Sequence, residues 1–256
     1  MQRLEQLALV LDQAARQRIA VPQLGTDGEE LTLSEAYAVQ AGLLRLREAR
    51  GERLIGLKMG FTSEAKRAQM KIDDLIFGRL TDAMRIADGG TLSLGGFIHP
   101  RIEPELAFLL GAPLSGEVSP ESARRAVAGV APALEVIDSR YRDFRFSLAD
   151  VIADNSSSAA LVVGGWQSPP TDLAALGIRL CCDGTVLESG SAAAIMGDPL
   201  RSLVAAARLA AAADLRLEAG WLVLAGGATA AHPLRPKTRV SVEVERLGSA
   251  ALEVQP

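Results

Sequence analysis

The sequence predicts an α+β fold, with a small amino-terminal α/β domain over residues 1–75 and a β-rich domain over residues 76–256. Two patterns along the chain carry this. In the first fifty residues apolar side chains recur at helical spacing, with Leu4, Leu7, Leu11 and Ala14 on one face. Thr32 and Glu35 are spaced as a capping box that opens a second helix, which stops at Gly51. From about Ile55 the pattern changes to short apolar runs broken by Gly, Pro and Asp, at 54–59, 102–110, 133–137, 160–163, 178–182, 222–224 and 240–244. Runs of that length between turn residues predict strands. One Ala-rich helix interrupts them, with Asp198 as N-cap, Pro199 at its first position and Leu200, Val204, Ala207 and Ala211 at helical spacing. The loop 164–171, with Pro169 and Pro170, is the seam after residue 60, and no internal repeat is visible.

Composition narrows the function. A formal net charge of -4, with acids and bases interspersed, excludes a nucleic-acid surface. The nearest basic stretch, Arg140 to Arg145, contains Asp143 and reads as a loop near a site. No run of about 18 apolar residues is present to span a bilayer, and the amino terminus has the start of an amphipathic helix rather than a signal peptide, so a cytoplasmic protein is expected. Cys181 and Cys182 are adjacent, which suits neither a disulfide framework nor a Cys-x-x-Cys site. His99 and His232 each precede proline and lie far apart, which assigns them structural or supporting roles.

The chemically informative residues are acids set among apolar ones. Glu103 and Glu105 stand at i and i+2 of a predicted strand, where both carboxylates share a face, with Ile102, Leu106 and Phe108 expected to pack around them. Glu135 occupies a second such strand. Two adjacent like charges repel, and a hard divalent cation removes the repulsion, so a three-carboxylate shell is the functional reading; a half-exposed strand with solvated acids is the plain one. Lys58, between Leu57 and Met59, either snorkels at an edge or points into a site, where its charge would stabilise a developing enolate. Its strand ends in Gly60, with the hydroxyls Thr62 and Ser63 just beyond. The segment 154–158 offers a carboxylate and donors, or only a turn. Gly226, Gly227 and Thr229 follow a strand and either form a plain turn or cradle an anionic group such as a substrate carboxylate.

Six segments in order, 57–63, 76–78, 99–105, 135–141, 153–157 and 226–231, resemble the decarboxylase and hydratase branch of the fumarylacetoacetate hydrolase superfamily over nearly the whole chain. The resemblance implies a mixed β-sandwich roll with a small amino-terminal domain, the β-rich part being catalytic. It implies Mg²⁺ or Mn²⁺ on Glu103, Glu105 and Glu135 and an active-site lysine at Lys58. Asp154 and Ser157 are carried as further catalytic candidates, and Thr62, Ser63, Arg140, Gly227 and Thr229 as substrate-binding ones. The implied reaction is decarboxylation of 2-oxo-3-hexenedioate, a small-molecule 2-oxo acid, to 2-hydroxypenta-2,4-dienoate and CO₂ in the meta-cleavage breakdown of aromatic compounds. Hydration of that dienoate, hydrolytic cleavage of a 1,3-diketone and a non-catalytic partner subunit are the alternatives. A homo-oligomer able to associate with a 2-hydroxypentadienoate hydratase is also implied. Leu57, Met59 and the 226–231 stretch are similar to the decarboxylases. The chain departs from the pattern at Lys71, Leu75, Phe77, Arg101, Pro236 and Lys237, of which Phe77 replaces a frequent tyrosine.

Overall fold

The computed structural model describes residues 2–25, 30–63 and 75–256; Lys71 lies outside the described residues. The helices are α1 (Gln2–Gln17), α2 (Leu33–Glu48), α3 (Pro120–Ala126), α4 (Leu148–Ala153) and α5 (Pro199–Ala212). The strands are β1 (Leu54–Gly60), β2 (Ile76–Thr81), β3 (Arg85–Ile86), β4 (Gly90–Ser93), β5 (Arg101–Leu110), β6 (Val127–Ile137), β7 (Ser158–Val163), β8 (Gly177–Cys182), β9 (Thr185–Ser191), β10 (Leu222–Leu224), β11 (His232–Pro233), β12 (Thr238–Val244) and β13 (Gly248–Gln255). An eight-stranded sheet runs β2-β1-β10-β5-β6-β7-β3, with β11 paired to β5, and a five-stranded sheet runs β4-β13-β12-β8-β9. Both are mixed: β1–β10, β3–β7 and β4–β13 are parallel and the other pairs antiparallel. The fold is the expected α+β roll. β1 pairs with β2 and β10 across residue 75, so the amino-terminal part and the remainder share one sheet.

The local chemistry of the helix starts holds. Glu35 N–H donates to Thr32 Oγ1 at 3.2 Å while Thr32 N–H donates to Glu35 Oε2 at 2.9 Å, the reciprocal box that satisfies two of the orphan amides of α2. Asp198 accepts from Leu200 N–H at 2.9 Å and Pro199 opens α5. Ser147 and Asp150 form a second box, on α4.

The two faces of β5 do different work, because successive side chains alternate. Ile102, Leu106 and Phe108 belong to the main core, together with Ile178, Leu180, Val240 and Leu252 of the second sheet. They therefore lie on the face opposite Glu103 and Glu105, which corrects the expectation that they surround the acids. The acids share their face with a separate apolar cluster that includes Ala107, Ala131, Ala133, Leu161 and Leu224.

Candidate active site

Strand register builds the site. Glu103 stands directly opposite Glu135 in the β5–β6 pair, and Glu105 is two residues further along the same face. Lys58 pairs with Leu224 of β10 and with Gly78 of β2, on the same side of the sheet. Leu57 and Met59 turn to the opposite face and enter the main core, which fixes the lysine inward. Its Nζ lies 2.9 Å from Glu135 Oε2 and donates to the Ser156 carbonyl at 3.1 Å. Glu105 and Glu135 are wholly buried, and Lys58 is nearly so.

Carboxylate oxygens of Glu103, Glu105 and Glu135 lie within 4.8 Å of one another. Carboxylates that close can share one Mg²⁺, whose bonds of about 2.1 Å would draw them nearer to one another. Glu105 Oε2 accepts from Gly226 N–H at 2.8 Å, but its Oε1 and Glu135 Oε1 are buried without a hydrogen-bond partner. Two buried carboxyl oxygens without hydrogen-bond partners, in a cluster of three acids, are the kind of donors a hard cation needs. The residues fit the metal.

Burial, with repulsion from Glu135 and Glu103, holds the Glu105 carboxyl well above the usual carboxylate range despite Lys58. Burial also raises Glu135, against the pull of Lys58. Lys58 shows the complementary effect: burial disfavours its charge, yet Glu135, Glu105 and Glu103 outweigh that and raise its pKa. A cation must displace any proton these oxygens carry. Binding of Mg²⁺ or Mn²⁺ is therefore expected to release protons and to tighten as pH rises through the Glu105 titration. The metal-free protein should lose stability over the same interval, because a carboxyl whose folded pKa is raised stabilises the fold only while protonated. Titration calorimetry in two buffers of different ionisation heat tests this; equal apparent heats and a pH-independent affinity would refute it.

The glycine-rich segment closes one side. Gly226 has φ 111°, and a Cβ there would sit 2.1 Å from Thr62 Oγ1. A Cβ on Gly227 would meet Glu103 Oε2 at 2.7 Å. The glycines thus let the backbone pass against both the buried Thr62 and the carboxylate cluster. Ser63 follows at the edge of the described residues, and Thr229 Oγ1 donates to the Ala230 carbonyl at 3.3 Å.

Asp154 and Arg140 bond each other. Asp154 Oδ2 accepts from Arg140 N–H at 2.9 Å and Oδ1 from Arg140 Nε; burial, opposed by Arg140, pushes the Asp154 pKa up to about 6. Ser157 Oγ is buried without a hydrogen-bond partner. His99 packs against Phe144 with the rings tilted and their centres 4.6 Å apart, and His232 Nε2 lies 2.9 Å from Glu188, so neither joins the glutamates. A cavity of about 250 Å³ behind the 154–158 segment is lined by Arg47, Arg79, Arg140, Asp154, Asn155 and Ser158 among others, and by none of the three glutamates or Lys58. The buried carboxylate oxygens without hydrogen-bond partners belong to Glu105 and Glu135, outside this cavity.

Phe77 pairs with Met59, joins the main core and stacks on Tyr37 at 4.7 Å. It faces away from Lys58, so the hydroxyl it lacks relative to tyrosine is not lost from the metal cluster. Sequence reading missed the part played by Gly78, where a Cβ would meet the Asn155 carbonyl at 2.5 Å and Lys58 Cγ at 3.1 Å. It also missed the conformation of Asn155, Ser156 and Ser157, at φ 53°, 53° and 59°. Three successive non-glycine residues in the left-handed region cost about 1–2 kcal/mol each, and only tertiary contacts sustain them. Of these three, Asn155 alone belongs to a type that favours the left-handed region, and the two serines carry no sequence signal for it.

The fumarylacetoacetate hydrolase C-terminal family model matches residues 53–255. A 4-oxalocrotonate decarboxylase from a Pseudomonas species is 53% identical over 247 residues, covering 96% of each chain. A 2-hydroxyhexa-2,4-dienoate hydratase from Comamonas testosteroni is 34% identical over 248 residues, covering 95% of this chain and 94% of the relative. Among solved structures, that of 4-oxalocrotonate decarboxylase from Pseudomonas putida G7, complexed with magnesium and adipate, superposes with a TM-score of 0.95 at 37% identity, over 99% of this chain and 97% of the other.

Proposed function

From the premise that the chain belongs to the fumarylacetoacetate hydrolase family, we propose that it is a metal-dependent carboxy-lyase that converts 2-oxo-3-hexenedioate into 2-hydroxypenta-2,4-dienoate and CO₂. The observation that carries this is the juxtaposition of three convergent carboxylates and one buried lysine on a face otherwise lined by Ala107, Ala131, Ala133, Leu161 and Leu224. Glu103, Glu105 and Glu135 would hold Mg²⁺ or Mn²⁺, which when bound supplies a Lewis acid for the 2-oxo acid head of the substrate.

The chain's own groups account for the rest. The substrate is a vinylogous β-keto acid: the C5–C6 electron pair becomes the C4–C5 double bond, the original C3–C4 pair moves to C2–C3, and negative charge collects on the C2 oxygen. Lys58 Nζ, fixed between Glu135 and the Ser156 carbonyl, is positioned to stabilise that charge and to supply the proton that completes the enol. Thr62, Ser63, Gly227 and Thr229, in the segments beside the cluster, are proposed to receive the anionic head. The apolar wall suits the leaving carboxylate, because poor solvation of that anion favours its loss as CO₂.

Hydration of the dienoate is the second reading. It would draw on Ser157, whose buried hydroxyl lacks a partner, and on Asp154, whose carboxylate is held by Arg140. Cytoplasmic action on ring-cleavage products of aromatic compounds, homo-oligomerisation and association with a hydratase belong to the same proposal and rest on the family resemblance. No helix among the described residues is long and apolar enough to cross a membrane.

The test is to incubate the protein with Mg²⁺ and 2-oxo-3-hexenedioate and to follow CO₂ and the dienoate spectrum. Dienoate that accumulates unhydrated is the expected product. Formation of 4-hydroxy-2-oxopentanoate by the protein alone, as fast as the dienoate or faster, would replace the decarboxylase by the hydratase.

A further inference from the structure

We propose that Asn155 is a positioning residue for Lys58, acting through the left-handed turn 155–157; this rests on the reading of Lys58 given above. β2 is the edge strand of the large sheet, so its outer amide and carbonyl groups need partners from elsewhere. Asn155 supplies both from one side chain: its Oδ1 accepts from Arg79 N–H at 2.7 Å and its Nδ2 donates to the Arg79 carbonyl at 2.9 Å. A carboxamide offers a donor and an acceptor side by side, which an ionised carboxylate of the same size does not. Ser156 Oγ adds a bond to the Phe77 carbonyl at 2.8 Å, and Gly78, without a side chain, lets the Asn155 carbonyl close onto the strand.

The turn so clamped is left-handed at three residues in a row, and that conformation aims the Ser156 carbonyl inward, where it accepts from Lys58 Nζ at 3.1 Å. Among the described residues, the lysine's contacts are this carbonyl and Glu135 Oε2 at 2.9 Å. Remove the clamp, and among the described residues the ammonium keeps one direct polar contact, Glu135 Oε2, an oxygen the metal would also draw on. Asn155 thereby holds Lys58 in register with the substrate oxygen without touching either substrate or metal.

The experiment is a double-mutant cycle on the whole enzyme with Mg²⁺. Asn155→Gly keeps the left-handed freedom and removes the amide; Asn155→Asp keeps the size and replaces the donor with an oxygen that faces the Arg79 carbonyl. Each is expected to lower kcat at least about tenfold with KM within about twofold, and to change kcat less than about twofold in a Lys58→Met background. A general loosening of the fold would cost the same factor in both backgrounds, and that additive result would overturn the proposal. So would an Asn155→Gly enzyme with wild-type turnover, which would leave Asn155 as a residue merely tolerant of its backbone angle. Should the glycine variant fail to fold, the aspartate variant carries the same cycle. A Lys58→Met enzyme with full turnover would instead refute the role of Lys58, and this inference with it, while leaving CO₂ release intact.

Discussion

Glu103→Gln, Glu105→Gln and Glu135→Gln are each expected to abolish turnover and the stabilisation that Mg²⁺ confers, while the protein stays folded. Each substitution keeps the shape of the side chain and removes one anionic oxygen from a set of three that lie within 4.8 Å. Stability in the absence of metal should hold or rise for Glu105→Gln, which removes one of a set of buried like charges, and fall for Glu135→Gln, which leaves the buried Lys58 ammonium without its ion-pair partner. Thermal unfolding with and without Mg²⁺ separates the two effects. Wild-type protein gains stability with added metal in proportion to the logarithm of its concentration over Kd, and the variants do not. Mn²⁺ should replace Mg²⁺ better than Zn²⁺, since an all-carboxylate shell suits hard octahedral ions. Chelator-treated wild-type protein with full activity would refute the metal requirement.

How much of this was legible beforehand follows from which forces are local. The capping box at Thr32, the Pro199 start of α5 and the apolar runs of β1, β5 and β10 are read directly, because side-chain spacing and turn chemistry act within a few residues. β9 and β13 were not read. Thr185–Ser191 is a polar edge strand with little apolar content, and Gly248–Gln255 carries a weak alternation that makes sense only once β12 pairs with it along its length. α3 and α4 are one to two turns long, below the length at which periodicity speaks, and the Ser147–Asp150 box that starts α4 was not read either. Within the site, the i and i+2 placement of Glu103 and Glu105 follows from the strand period, and the partnership with Glu135 then follows from register. The companions of the glutamates were misread, since Ile102, Leu106 and Phe108 belong by the same alternation to the other face. The Asp154–Arg140 pair and the carbonyl of Ser156 depend on a backbone held by distant strands, and no residue type announces them.

Lys58→Met should lower kcat by about 100-fold or more and leave KM nearly unchanged, comparable to removing one oxyanion donor. The argument rests on where the charge is needed. In the resting enzyme the ammonium already has two partners, Glu135 Oε2 and the Ser156 carbonyl, so an uncharged oxygen of bound substrate adds little to its energy. As C6 leaves, that oxygen becomes anionic in a buried setting of low dielectric, where a fixed cation is worth far more than in water. The interaction therefore grows between ground state and transition state, and its loss appears in kcat. Methionine preserves most of the aliphatic stem beside Leu224, its neighbour across the β1–β10 pair, so packing alone does not confound the comparison. It also frees Glu135 from its ion pair. Metal affinity should hold or increase while turnover collapses, a divergence that a simple loss of the site could not produce. Near-normal turnover with weakened substrate binding would place Lys58 in recognition of the ground state instead.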